Sequence, residues 1–250
     1  MTKHEIVSEQ QWLEARRVLL AEEKAWTIER DRLAARRRAL PWVKIKNNYV
    51  FEGVTGPVTL ADLFDGRTQL VVYHFMFGPE WEEGCPGCSL LSDHVDAARQ
   101  HFEHNDVSFV AVSRGPIGKL DAYRRRMGWT FRWASSGDSD FNVDYHVSFP
   151  NGTREDGVFY NFAERPDPKS DELPGLSVFY RDDDGAIYHT YSTYGRGLEV
   201  FLPVYDWLDV MPKGRNETKN GNMGDWMQRH DRYPDDGRVR PADSPVATAV

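Results

Sequence analysis

Cysteine is nearly absent from this chain: Cys85 and Cys88 are the only two in 250 residues. That scarcity excludes a disulfide-stapled scaffold, and a chain of this length with 40% hydrophobic composition can bury a full core without one. Long hydrophobic runs are missing as well. No window approaches the ~20 apolar residues of a membrane span, and Met1 to Gln11 is polar, with no apolar stretch behind it of the kind a secretory signal carries. Basic excess is also lacking: 31 Lys and Arg face 39 Asp and Glu, a net charge of −8, which argues against a nucleic-acid or anionic-membrane surface. Arg36-Arg37-Arg38 and Arg124-Arg125-Arg126 read as solvated helix faces, and no internal repeat is evident. These absences point to a cytoplasmic globular protein, one large domain with extensions, in which the sequons at Asn151 and Asn216 are chance matches.

What is present divides the chain in three. Ser8 and Gln11 form a capping-box pattern, and Trp12, Leu13, Arg16, Leu19, Leu20, Glu23, Trp26 and Leu33 follow at roughly helical spacing until Pro41. Residues 1–41 are therefore a helical extension, with one long or broken helix over 8–40 that either lies on its own domain, the simpler reading, or pairs with another subunit. Residues 42–211 form the main domain. Trp42 to Lys46 and Tyr49 to Phe51 flank Asn47-Asn48 as a short hairpin, and Leu70 to Phe77 is a nearly continuous apolar run, the mark of a central strand covered on both sides. A helix over 86–104, a strand Val107 to Val112, a helix Lys119 to Met127 and a strand Thr130 to Trp133 complete a β-α-β-α-β order, which implies parallel strands with right-handed crossovers. An aromatic-rich insertion over 148–172 precedes a hairpin of Leu176 to Tyr180 and Ala186 to Tyr191, then a helix Leu198 to Val210. Residues 212–250 are a polar extension anchored by Trp226, Met227 and Tyr233, loosely docked to 236 and disordered from 237.

The two cysteines sit where the apolar run gives way to a helix. A Cys-x-x-Cys pair at such a junction places the first thiol at the free N-terminus and the second one turn inward, close enough to form a small disulfide ring. Backbone N–H groups and the helix dipole favour the outer thiolate, so Cys85 is the nucleophile and Cys88 the resolving thiol, with Pro86 and Gly87 between them. In a reducing compartment such a pair is catalytic or metal-binding rather than structural.

Thr59 to Leu63, the strand Leu70 to Phe77, Cys85-Pro86-Gly87-Cys88, and Pro174 to Tyr180 with its Asp-Gly turn together resemble the thioredoxin-like superfamily over about residues 42–210. The long N-terminal helix, Phe75-Met76-Phe77-Gly78-Pro79 and Gly84 to Ser89 look more narrowly like a bacterial family of unknown function labelled predicted dithiol-disulfide oxidoreductases. The resemblance implies an α/β thioredoxin-like fold with a central mixed sheet, no cofactor, and as partners a disulfide-containing protein or small thiol together with an unidentified electron donor. It also implies that Pro174 is a cis proline beside the thiols, where neighbouring backbone pairs with substrate. The chain departs from thioredoxins in having Gly84 where an aromatic residue precedes the first cysteine, and Pro-Gly where they have Gly-Pro.

Other residues have two readings each. Trp81 either covers the disulfide or packs plainly; Glu80, Glu82 and Glu83 are a solvated loop that would oppose thiolate formation, or a source of protons; His74 is a core histidine rather than a base. Zinc would need distant ligands such as His146 or His189, since His94 and His101 are badly placed on the Cys88 helix. A peroxidase of the peroxiredoxin kind calls for Thr or Ser where Glu82 stands, and a redox-sensing module would use the same pair without turnover.

Overall fold

The computed structural model describes residues 4–137, 139–149, 156–215, 217 and 226–234. Asn151, Asn216 and the tail from 237 onward lie outside them. Along the chain come α1 (Glu9–Arg38), β1 (Val43–Lys44), β2 (Val50–Gly53), β3 (Gly56–Thr59), α2 (Leu60–Leu63), β4 (Gln69–His74), α3 (Pro86–Glu103), β5 (Val107–Ser113) and α4 (Ile117–Arg126). They are followed by β6 (Arg132–Ser135), α5 (Phe141–Asp144), β7 (Val158–Tyr160), β8 (Ala163–Arg165), β9 (Gly175–Arg181), β10 (Ile187–Tyr194), a 3-10 segment (Gly195–Phe201) and α6 (Pro203–Asp209).

Strands β4, β5 and β6 run parallel through the crossover helices α3 and α4, and β9 adds antiparallel to β4, giving the sheet order β1-β10-β9-β4-β5-β6-β2-β3. This mixed sheet between helices is a thioredoxin-like fold. Because side chains alternate across a strand, the apolar runs feed two cores at once. Tyr73, Phe109, Ala111 and Trp133 face α3, α4 and α6, while Leu70, Val72, Val110, Val112 and Ala134 face α2 and α5. The β9–β10 hairpin turns at Gly185, whose φ of +83° suits a residue without Cβ, and the Asp182 side chain accepts from the Ala186 N–H at 2.8 Å.

Several expectations from sequence are corrected. Trp42 to Phe51 is not a hairpin: β1 pairs with β10 at one edge of the sheet and β2 with β3 and β6 at the other. Asn47 spends its side chain on Tyr49 and Asp144 rather than closing a turn, and the actual hairpin is the one between Gly53 and Gly56. The helix over Leu198 to Val210 is broken at Leu202, which has φ −118° and ψ 70°, since the residue before Pro203 is excluded from helical backbone. Pro174 follows a trans peptide bond, as every described residue does. Trans is the ground state of an X-Pro bond, and here the Leu173 N–H bound to the Val147 carbonyl and the Tyr160 hydroxyl bound to the Pro174 carbonyl lead the chain straight into β9. Helix α1 is one continuous helix with the Ser8–Gln11 capping box, yet none of its residues is buried, so the simpler reading of a helix packed over its own domain does not hold.

His74 lies on the α5 side of the sheet, stacked on Tyr145 at 5.6 Å, and Tyr73 on the other side is the residue that faces the thiols. Its Nε2 is hydrogen-bonded to Ser177 Oγ at 2.8 Å while Nδ1 has no partner, which makes it a half-satisfied core histidine. Burial, with His189 nearby, pushes it from 6.5 down to about 3. The unfolded chain therefore binds a proton below pH 6.5 that the folded chain refuses until about pH 3, and stability must fall with pH across that window by up to about 1.4 kcal/mol per pH unit. Urea denaturation between pH 7 and pH 4 should show this slope, and His74→Gln, which keeps an acceptor or donor for Ser177 but cannot titrate, should flatten it. An unchanged slope in the variant would assign the acid loss to other groups.

Candidate active site

β4 leads through Phe75 and Phe77 into a loop that turns back on itself, and Cys85 caps α3 with Pro86 in the first helical position. Proline fits there because the N–H it lacks would have had no partner in the helix. The cap carbonyl is doubly used: Ser89 N–H and Ser89 Oγ both donate to Cys85 O at 2.9 Å, and the Ser89 hydroxyl is also bonded to Tyr123 at 2.9 Å. Gly84 precedes the cap because nothing larger fits. A Cβ there would stand 2.5 Å from Phe75 Cε1 and 3.0 Å from Tyr123 Cε1. The space beside Gly84 is filled by two rings, Phe75 just past β4 and Tyr123 of α4.

Both cysteines are free thiols, in unlike surroundings. Cys85 is partly exposed; Cys88 is buried against Tyr73, whose hydroxyl it meets, and accepts from the Met76 N–H at 3.5 Å. The Cys85 thiol is brought from its ordinary 9 down to about 6, first by a hydrogen bond from Cys88, then against burial by the N–H groups of Cys88 and Gly87 and by the charge of Arg229. A change of that size takes about 4 kcal/mol, several times the ~0.3–1 kcal/mol of a helix dipole at an exposed terminus. The Cys88 thiol and Arg229 therefore add to the N–H groups at the helix start. Burial drives Cys88 the other way, well above the usual thiol range, so one sulfur is a thiolate at neutral pH and the other a thiol.

Arg229 was not foreseen from sequence. The segment 226–234 packs against the start of α3 rather than docking loosely. Met227 is buried beside Gly87, and Arg229 donates from Nε and Nη2 to the Gly84 carbonyl at 2.9 and 2.7 Å. His230 meets Asp93 at 2.8 Å, and Asp231 takes both arms of Arg126. The sequence signal was there in Trp226 and Met227, too apolar for a free tail.

The acidic approach to the thiols also reads differently in three dimensions. Glu80 and Glu82 are exposed, Glu82 pairing with Lys119 at 2.9 Å, as a solvated loop would. Glu83 instead takes guanidinium groups from Arg232, Arg126 and Arg229, which hold its carboxyl down at about 2. Three guanidiniums thus face two carboxylates, Glu83 and Asp231, so Glu83 is neutralised by its own pairs while the charge of Arg229 still favours the Cys85 thiolate. Trp81 folds its ring over Gly78, at the rim of the cluster that holds both cysteines, and its carbonyl accepts from Lys119. Pro174 stands at the start of β9, its neighbour Gly175 paired with His74. Tyr160, from the hairpin β7–β8 inside the insertion, joins the Pro174 carbonyl at 2.7 Å to the Gly195 N–H at 2.9 Å, and its hydroxyl is pushed up by burial and by the nearby Cys88. Among the described residues no three His, Cys, Asp or Glu side chains gather in a metal-ligand arrangement.

Rates of alkylation by iodoacetamide should rise through a midpoint near pH 6, since the thiolate forms as pH climbs past the value for Cys85. Arg229→Gln should move that midpoint upward, and Arg229→Lys should move it less. A midpoint near the ~8.5 of a free cysteine in the unmutated chain would refute this picture of the site.

Residues 1–233 match the bacterial proteins of unknown function grouped as DUF899, and the chain belongs to that family. No curated protein matches it. Among solved structures it is similar to peroxidoxin BcpB from Mycobacterium tuberculosis, with 14% identity and a TM-score of 0.45 over 63% of this chain and 86% of that one. It is also similar to a cysteine-to-serine variant of peroxiredoxin Q from Xanthomonas campestris, with 13% identity and a TM-score of 0.46 over 67% of this chain and 98% of that one. A PrxQ variant from Xylella fastidiosa has 14% identity and a TM-score of 0.42 over 66% and 95%.

Proposed function

We propose that this member of the DUF899 family is a thiol-disulfide oxidoreductase. The observation that supports the reading most directly is the split between the two sulfurs, with Cys85 partly exposed and lowered to about 6 and Cys88 buried and raised. In the first step the Cys85 thiolate attacks one sulfur of a substrate disulfide; a Cys85–substrate disulfide forms, the substrate S–S bond breaks and the other substrate sulfur leaves as a thiolate. In the second, Cys88 loses its proton and attacks Cys85 Sγ, releasing the remaining substrate thiolate and leaving a Cys85–Cys88 disulfide. Two electrons pass from the dithiol to the substrate, and a separate thiol donor must return them.

The surroundings suit both steps. Arg229 and the N–H groups of Gly87 and Cys88 favour the Cys85 thiolate before attack. Once Cys85 is in a mixed disulfide it no longer holds the Cys88 proton through its charge and hydrogen bond, and the Tyr73 hydroxyl and Met76 N–H are left to stabilise the Cys88 thiolate that resolves it. Pro86 and Gly87 keep the helix start narrow. On this reading Pro174 and Trp81 flank the substrate, which is a disulfide-containing protein or small thiol.

Cys88→Ser protein should accumulate a covalent mixed disulfide on Cys85 when exposed to a disulfide substrate, detected as a mass increase lost on reduction, whereas the unmutated chain should reduce the same disulfide and form its internal one. Tyr73→Phe should leave the first step near its original rate and slow the second, so that mixed disulfide builds up transiently. Absence of an internal disulfide under mild oxidation would end the proposal. Peroxide consumption by Cys88→Ser protein, without disulfide reduction by the unmutated chain, would replace it with a peroxidase.

A further inference from the structure

We propose that α1 is a self-association surface, and that its occupant is the α1 of a second copy of this chain, packed antiparallel. The helix has 30 residues and none is buried. At ~1.5 Å per residue it is about 45 Å long, and isolated helices draw most of their stability from packing an apolar face. Such a face is present. Trp12, Leu19, Trp26 and Leu33 recur at successive seven-residue steps and so lie nearly in line along the helix, with exposures of 57, 50, 63 and 42%. Leu13 and Leu20 widen the line on one side, at 40 and 38%. Val18 and Ile28, at 66 and 55%, lie singly on other faces, whereas four large side chains left in water in one line mark an interface.

Charge selects the occupant and its direction. Between Glu9 and Glu23 four carboxylates face two guanidiniums, whereas between Lys24 and Arg38 six bases face two acids. One half of the helix is acidic and the other basic. A second copy laid antiparallel sets the acidic half of each helix beside the basic half of the other, and a parallel copy sets like against like. The apolar line obeys the same symmetry, because its midpoint lies between Leu19 and Trp26, close to the midpoint of α1. An antiparallel pair thus keeps all four apolar residues of each helix within reach of the partner's four. Arg37, at the C-terminal end of α1, sits 5.9 Å over the Tyr191 ring of the sheet, and the residues of the line from Trp12 to Leu33 stay exposed.

Sedimentation of the full chain should show a dimer that dissociates on dilution. Leu19→Glu with Trp26→Glu should weaken association about tenfold or more, while the pH midpoint of Cys85 alkylation stays where it was, which separates loss of the interface from loss of the fold. Direction is read by cross-linking in a chain carrying Cys85→Ser and Cys88→Ser. A disulfide requires Cα atoms within ~7 Å, so Glu23→Cys, near the two-fold axis, should cross-link to its own copy and Glu9→Cys should not. A monomer at all concentrations, a dimer indifferent to the two glutamates, or cross-linking at both positions or at neither would overturn the proposal. Because no step depends on disulfide turnover, these outcomes are independent of whether the protein reduces disulfides.

Discussion

The backbone of Met76 ties the strand to the chemistry. Its carbonyl accepts from the Cys85 N–H at 3.1 Å and its N–H donates to Cys88 Sγ at 3.5 Å, so one residue just past the end of β4 holds both ends of the Cys-x-x-Cys turn. Everything else at the site depends on that attachment. It sets the N-terminus of α3 at the end of the most buried parallel strands, points Cys88 inward against Tyr73, and leaves Cys85 at the rim where N–H groups are free. The strand itself is held from both sides, by β5 in parallel and β9 antiparallel over six residue pairs each, so the attachment point has little freedom to move.

Around this anchor the protein brings together charges that are far apart in sequence. Glu83 precedes the motif, Arg126 ends α4, and Arg229 and Arg232 come from the last described segment; on the page they are unrelated, in space they form one ion-pair knot. Exposed ion pairs contribute little singly. Here they act together with buried Met227 and with two donors on the Gly84 carbonyl, and the knot fixes the cap residue's neighbour rather than merely decorating a surface.

Much of the fold was legible because it follows from local periodicity. The apolar runs over β4 and β5, the capping box of α1, the Asp-Gly turn of β9–β10 and the position of α3 all rest on contacts within a few residues or on the two-residue and 3.6-residue repeats. The misread hairpin shows where local periodicity stops deciding. Sequence neighbours are the default partners, which makes Asn47 and Tyr49 read as a hairpin, but both side chains bond to the distant Asp144 instead, and no glycine favours a turn there. His74 fits its reading as a core histidine, because strand alternation sends it and the adjacent Tyr73 to opposite sides of the sheet and only Tyr73 faces the thiols.

The sequence alone determined the pair of candidate thiols, the order of strands and helices that carries them, and the fact that one thiol caps a helix, since each of these depends on residue type and spacing. Only the tertiary structure decided how those atoms are tuned. The low value of Cys85, the burial of Cys88, the neutralisation of Glu83 and the closing of the cap by Arg229 are sums over groups up to 149 residues apart. Such long-range electrostatics leave no period and no motif in a chain; they exist once the backbone has brought the groups within a few ångströms of one another.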